Sequence, residues 1–563
     1  MAKHADAAHA AEPFREAPSA AGSSAQPRSV PALRDALTAW AQVIGVDHVR
    51  FDDDTVEHYA RSTGPRPTRP LAVLAPASTP QVQRVVQIAG RFGLSVYPIS
   101  RGRNRGYGDA CAPTDGQVIV DLRRMDRIVE VNTELAYAVI EPGVTQGQLA
   151  DYLREQRTGL CMDATGAGPD ASIVGNALER GFGHTRYGDH VRHTCGLEVV
   201  LADGRALHTG FGHYENAKAA PVYPYGLGPM LDGLFSQSNL GIVTRMGVWL
   251  MPEPQAFGAF FFRAGRDDDL TDIIDRLRPL RLAGLIQSAV HVANDLRVLS
   301  SREPYPWDRA AAGKPLSGDV RAALRREHGL GMWNGCGAIT GTRATVAATR
   351  KAVRRALGRY RVLFLDDRRL ALAKAARRAL RAIGAGRRLG EMIAVAEPVY
   401  DLLRGRPSRE HLRGAAWRVR GLDQSRPHDP LDVHAGLMWT SPIVPATGQD
   451  ARQVMDLIEP IYAGHGFDAL VTFTMINERA MCCVTNMAFD VREAEEASRA
   501  AACHKALTAA LTGAGYYAYR VAAGSAGTLA QGSTHFWEVV SALKAALDPG
   551  RVIAPGRYEP RGA

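Results

Sequence analysis

The chain has no apolar run near the ~18 residues that a membrane-spanning helix requires. Its first residues, MAKHADAAHAAEPFREAPSAAGSSAQPRS, lack the apolar core of a secretory signal. A cytoplasmic protein without a membrane partner is the expectation. The Ala, Ser and Pro content of that segment reads as a disordered tail over residues 1–28. Cysteine is scarce: seven residues, an odd number, none in C-x-x-C spacing. That argues against a disulfide framework and against a zinc site, and no metal is expected. The adjacent pair Cys482 and Cys483 reads as two small core residues. No G-x-G-x-x-G followed by an acid is present, so a Rossmann dinucleotide site is unsupported. No repeat of solenoid period occurs.

What is present is an ordinary globular composition, 46% hydrophobic and 22% charged over 563 residues, long enough for roughly two or three domains. The net charge is +10. Arginines thicken between Arg350 and Arg388, alternating with Ala and Leu at helical spacing. Without a zinc finger or an RNA-binding signature this reads as a solvated helix face, and no nucleic-acid partner is expected. From Pro70 to Leu122 strand, helix and strand alternate: PLAVLAP, then STPQVQRVVQIAGRFG with a cap signal and a closing Gly, then LSVYPIS. Further strands, GQVIVDL and AYAVIEPG, precede a second capped helix, TQGQLADYLREQR, and GLEVVLADGRALHTG carries the D-G signal of a hairpin. Composition changes at Met251 to Pro254, where a second domain of strands and Ala/Arg-rich helices begins. The fold class expected is α+β in two domains.

Three glycine-rich stretches stand out. Arg101 to Ala110 packs three arginines, three glycines, an asparagine and a tyrosine between two apolar strands. Glycines at such a bend let the backbone turn sharply, and successive N–H groups make a nest for an anion such as a pyrophosphate. GPDASIVGNALERGFG and FSQSNLGIVT are further candidates.

In order, PISRGRNRGYGDA, EPGVTQGQL, IVGNALERGFGHTRYGDH, PYGLGPMLDGLFSQSNLGIVTRMGVWLMPEP and ALDPGRVIAPGR resemble the vanillyl-alcohol oxidase and 4-cresol methylhydroxylase family of flavoenzymes. The resemblance runs from about Pro70 to the C-terminus and is tightest from Pro98 to Pro254. It implies a PCMH-type FAD-binding domain split around a cap domain, with boundaries at 29–256, 257–512 and a C-terminal return over 513–563. The flavin ring would lie between the two. FAD contacts would come from Ser100, Arg101, Gly102, Arg103, Asn104, Gly106, Tyr107 and Gly108 in the first loop. Pro142 and Gly143 would follow, then Ser172, Gly175 and Asn176, then Gly183 and Tyr187. Gly241, Ile242, Val243 and Arg557 complete the set.

Members of that family oxidise 4-substituted phenols, passing a benzylic hydride to flavin N5 by way of a quinone methide. Ionising the phenol first makes hydride loss leave a neutral quinone methide instead of a cation. A phenol has a pKa of about 10, so the site must favour the anion. The family clamp of two tyrosines and an arginine falls on Tyr107, Tyr519 and Arg520. Tyr187 falls where the family lines its active site, Thr472 where it varies between Thr and Glu, and Asn486 where one branch has an aspartate.

Three departures stand beside the likeness. Relatives tether the flavin through a His or Tyr in the cap; here Leu437 and Asp429 fall at those positions. Tight noncovalent FAD is therefore the expectation, with His434 the alternative anchor. Cys482 and Cys483 replace a His-His pair, with Cys482 lining the substrate. The oxidase branch carries an aspartate near flavin N5, which Asp170 or Asp163 would supply, Asp170 being the candidate base. The implied partners are an aromatic small molecule and either oxygen or an electron-acceptor protein, with a homodimer by analogy. Two other readings were open on the sequence: a same-fold flavoenzyme acting on a hydroxy acid, sugar alcohol or lactone, and a basic interaction protein whose Arg350 to Arg388 region binds an acidic partner.

Overall fold

A computed structural model describes residues 30–65, 67–382, 387–525 and 534–559. The tail expected over 1–28 lies outside the described residues, as do residues 383–386 of the arginine-rich stretch.

The first layer follows from the strand–helix–strand pattern. Strands Val73–Leu74, Val118–Asp121 and Val96–Ile99 lie side by side in that order and pair in parallel, Val73 against Ile119 and Val96 against Val118. A parallel pair needs a crossover. Helix Thr79–Arg91 provides it, burying Val82, Val85, Val86 and Ala89 from one stripe. Strand Val49–Arg50 adds an antiparallel edge.

The second sheet is antiparallel and runs Ile128–Asn132, Tyr137–Ile140, Ile242–Trp249, Thr194–Val200, Ala206–His208. The D-G signal is the turn of its last hairpin, where Val200 pairs Ala206 and Gly204 has φ +85°. The Arg101–Ala110 loop follows strand Val96–Ile99 and leads to Val118–Asp121 of the first sheet.

The C-terminus returns to the first sheet. Val96 N–H donates to Val552 O and Ala554 N–H to Val96 O, each 2.7 Å. Lys544 on helix Thr534–Leu547 holds this return: its ammonium donates to Asn239 O (2.7 Å), Ile553 O (2.7 Å) and Asp548 (2.6 Å), and Asp548 accepts from the N–H groups of Val552 and Ile553.

The residues between form the cap, an eight-stranded sheet whose paired strands are all antiparallel. Its inner strands are Val290–Asn294, Leu470–Met475 and Ala480–Asp490, with Ala435–Thr440 beyond them. Side chains alternate between faces. Val290, Val292, Val471, Phe473, Met475, Cys483, Met487 and Met438 turn to a core shared with helices Asp269–Leu282, Gly448–Gly464 and Ala494–Gly513. The alternate positions, His291, Thr472, Thr474, Cys482, Asn486 and Trp439, turn to the opposite face, toward the Arg101–Ala110 loop. The adjacent cysteines thus face opposite ways. All seven are free thiols. Among the described residues no helix is long and apolar enough to cross a membrane.

Candidate active site

The Arg101–Ala110 loop is gripped from two sides. Trp439 of the cap donates its indole N–H to Arg105 O at 3.0 Å, and its ring lies where a Cβ on Gly106 would stand, 2.2 Å away. Gly106 has φ +77°, so both its backbone and its contact exclude a side chain. From the C-terminal return, Ala523 N–H donates to Tyr107 O at 2.9 Å. Below, Asp109 accepts from the Thr63 N–H (2.7 Å) and hydroxyl (2.6 Å), and Gly106 N–H donates to Thr63 Oγ1 at 2.8 Å. Burial raises the Asp109 carboxyl to about 6, against the pull of the Thr63 donors.

This grip fixes Tyr107, which is 4% exposed. Its hydroxyl donates to Ser441 Oγ at 3.2 Å. Backbone pairing of Tyr519 N–H with Ser441 O (3.1 Å) brings the C-terminal return to the same point, so that the Tyr107 and Tyr519 rings meet edge-on at 6.4 Å. The Arg520 guanidinium stands 3.7 Å from the Tyr107 ring centre and 5.4 Å from that of Tyr519. Its Nε is buried without a hydrogen-bond partner. Burial pushes the Tyr519 hydroxyl well above the usual tyrosine value, outweighing Arg520, so the hydroxyl keeps its proton. The three residues of the expected clamp, dispersed over more than four hundred positions, are neighbours. Cys482 adjoins them, its thiol 3.8 Å from Ser441 O and its pKa pushed well up by burial.

The loop also fits a dinucleotide phosphate. Among the described residues no acceptor takes the backbone N–H of Gly102, Arg103, Asn104 or Arg105, and nothing pairs with the Arg101 guanidinium. Four successive free N–H groups beside a free cation make an anion nest. Ser100 Oγ lies against Gly175, at the N-terminal turn of helix Ile173–Leu178. Ser172, Asn176 and Tyr187 line one pocket with His190, and Asn176 Oδ1 accepts from or pairs with His190 Nδ1 at 2.6 Å.

Other expected contacts have different surroundings. Arg103 and Arg105 are ion-paired with Asp170 (3.0 and 3.2 Å) and Asp429 (2.9 and 2.8 Å), so their charge is already answered by protein. Asp170, the candidate base, is held between those two guanidiniums, at 3.0 Å from Arg103 and 3.2 Å from Arg105. Asp163 is buried under Gly183 and accepts from the N–H groups of His184 and Thr185 as well as contacting His190; burial would raise its pKa, but His190 and Thr185 hold it below the usual range. Arg557 is bidentate to Glu179 (2.9 Å each) and donates to Val521 O, which makes it an anchor for the segment carrying Arg520. Ile242 and Val243 are core residues, and Gly143 and Gly241 leave room for protein atoms, Arg123 O and Val199 Cγ1. Pro142 O accepts from the Ser172 hydroxyl at 2.6 Å. His434 is exposed in a left-handed turn (φ 58°), while Leu437 is the residue packed over Gly106. Thr472 stands on the loop-facing side of the cap sheet, half-buried.

Ser441, Gln237 and three histidines were not singled out on sequence grounds. Gln237 Nε2 bridges Tyr519 O (2.8 Å) and Glu179 O (3.2 Å). His184 and His291 rings are 4.4 Å apart and His411 is 6.5 Å from His184. Burial lowers all three, His411 to about 4, so they are neutral at pH 7. Their positions, 184, 291 and 411, carry no local spacing signal that would have found them.

A split domain with an anion nest, facing a cap sheet across a Tyr-Tyr-Arg cluster, defines a flavoprotein. An FAD-binding-domain family model matches residues 70–210. Over 94% of its length the chain is 36% identical to the 1'-carboxy-chondrochloren decarboxylase of Chondromyces crocatus, covering 97% of that protein. It is 30% identical to the flavoprotein subunit of 4-cresol dehydrogenase [hydroxylating] from Pseudomonas putida, covering 93% of this chain and 94% of the other. The structure of 4-ethylphenol oxidase from Gulosibacter chungangensis in complex with isoeugenol superposes with a TM-score of 0.85 at 29% identity, over 95% of this chain and 98% of that one. The chain belongs to the PCMH-type family of FAD-dependent oxidoreductases that includes 4-cresol dehydrogenase.

Proposed function

We propose that the protein oxidises a 4-substituted phenol bound as its phenolate between Tyr107, Tyr519 and Arg520. The observation that carries this is the meeting of two tyrosines with a guanidinium that, among the described residues, makes no ion pair. Two hydroxyl donors and one cation aimed at a phenol oxygen lower its pKa, each unit corresponding to about 1.4 kcal/mol. The Tyr107 hydroxyl exchanges Ser441 for the phenolate. Cys482 and the cap strand close the site against water. FAD held by the N–H groups of Gly102 to Arg105 would supply the hydride acceptor.

The relative named as a decarboxylase favours one fate for the quinone methide. A substrate with a carboxylate one carbon beyond the benzylic position can lose CO2: the electron pair of the breaking C–C bond forms the new C=C, and the ring regains aromaticity as a phenolate. The pairing of Asp170 with Arg103 and Arg105, and the absence of histidine at Cys482 and Cys483, support this over addition of water.

Anaerobic mixing with 4-alkylphenols and their methyl ethers tests the reading. Bleaching of the oxidised flavin by phenols and not by ethers is expected. Equal bleaching by the ethers, or reduction by hydroxy acids or sugar alcohols alone, overturns it.

A further inference from the structure

The carboxylates around the cap-facing pocket already have partners: Asp170 and Asp429 with Arg103 and Arg105, Asp163 with His190, and Glu179 with Arg557. Arg297, on the cap side, has none among the described residues. Arg297 lies on helix Asp295–Leu299, at the end of strand Val290–Asn294, half-buried, with its guanidinium 5.8 Å from the Trp439 ring. Its Nη1 faces Gly414, where a Cβ would come within 3.1 Å. Among the described residues no hydrogen bond or ion pair reaches this guanidinium. Asp295, on the same helix, is taken by Arg321 (2.6 Å) and Arg325 (2.8 Å). Burial alone shifts Arg297, down to about 10, so it is charged at neutral pH with no counter-ion.

Asn486 adjoins the same ring. It is directly opposite Trp439 in the strand register, so the two side chains share a face. It is 1% exposed, and both its amide oxygen and its amide nitrogen lack a hydrogen-bond partner. A buried amide left without partners is destabilising, and a ligand that pairs with it relieves that cost. A buried cation without an anion and a buried amide without a partner are therefore complementary to the same group.

We propose that Arg297, with the Asn486 amide, forms an anion subsite that receives a carboxylate carried on the 4-substituent of the phenolic substrate. Asn486 is four residues from Cys482 along one strand, about 13 Å at the strand rise, and Cys482 adjoins the Tyr107–Tyr519–Arg520 cluster. Arg297, beside Trp439 and Asn486, and Arg520, beside Cys482, thus stand toward opposite ends of this stretch of strand. Their separation places the anion on the side chain and not on the ring. His411, which feels the Arg297 charge, and His291 are lowered by burial and neutral, and offer no competing charge. This subsite rests on the phenolate reading for the other end of the ligand, but its recognition is separable.

Calorimetric titration of the flavin-loaded protein with 3-phenylpropanoate and with 3-phenylpropanamide tests it, since neither has a phenol to be oxidised. The acid is expected to bind about ten- to a hundredfold more tightly than the amide. Arg297→Gln should bring that ratio near one, and Arg297→Lys should restore part of it. Equal affinities in the unsubstituted protein overturn the subsite, whatever the variants do. A ratio unchanged by Arg297→Gln but lost in Arg520→Gln overturns it too, by placing the carboxylate in the clamp. If phenols fail to reduce the flavin while the Arg297-dependent ratio stands, the phenolate reading alone is overturned.

Discussion

Replacing Arg520 by Gln removes the cation of the proposed clamp, which makes no ion pair among the described residues, while leaving an amide able to donate a single hydrogen bond. The guanidinium packs 3.7 Å from the Tyr107 ring centre, so the loss has two parts. A charge-assisted hydrogen bond to a phenolate contributes about 1.5–3 kcal/mol. Converted, that is a rise of about one to two units in the pKa of a bound phenol, and about a ten- to hundredfold loss of phenolate affinity. The stacking on Tyr107 contributes about 0.5–2 kcal/mol more, and this falls on local order, not on ligand charge. The assay is a pH titration of a bound chromophoric phenol whose anion absorbs away from the flavin. In the unsubstituted protein the bound phenol should ionise well below its value in water; in Arg520→Gln the transition should move up by one to two units, and in Arg520→Lys by less. A bound phenol that stays neutral in the unsubstituted protein, or a transition that Arg520→Gln does not move, refutes the reasoning.

Two further substitutions probe the scaffold. Lys544→Met should cost about 3–5 kcal/mol, because it strands the fully buried Asp548 carboxylate and two carbonyls; chemical denaturation measures it, and a cost under about 1 kcal/mol rejects the anchoring role. His411, with its pKa lowered to about 4, stays neutral in the folded protein while the unfolded chain takes up a proton below pH 6.5. Stability should therefore fall as pH drops from 6.5 to 4, by about 3 kcal/mol from this residue. Asp109, raised to about 6, works in the opposite sense: its cost is absent below its unfolded pKa and grows as pH rises toward 6. The difference in melting temperature between His411→Gln and the unsubstituted protein, followed across that range, isolates the histidine; parallel pH profiles would exclude its contribution.

Much of the architecture was legible in the chain itself. The helix at 79–91 and the hairpin closed at Gly204 follow from local signals, an apolar stripe of helical period and a turn dipeptide, and local signals survive folding unchanged. The free N–H groups of the Arg101–Ala110 loop were anticipated from three glycines whose backbone cannot continue a strand. Tyr107, Tyr519 and Arg520 could be named through a family likeness, and the structure gathers them at Ser441. The exchange of roles inside the loop was not legible. Three arginines in alternation look equivalent in sequence, yet Arg103 and Arg105 are neutralised by Asp170 and Asp429 and Arg101 is not, because those two carboxylates come from separate segments, one of them in the cap.

The sequence by itself determined the elements, the glycine-rich loop and which residues to look at as a clamp, since each depends on side chains near one another in the chain or on a motif kept in order. Only the tertiary structure decided which charges are answered. Whether Asp170 stands free or between two arginines, whether Arg557 stands free or paired with Glu179, and whether Arg297 has a counter-ion among the described residues are all set by groups tens to hundreds of residues away. A charge's meaning in a low-dielectric pocket is fixed by its neighbours in space, and those neighbours exist only once the cap sheet has closed over the loop.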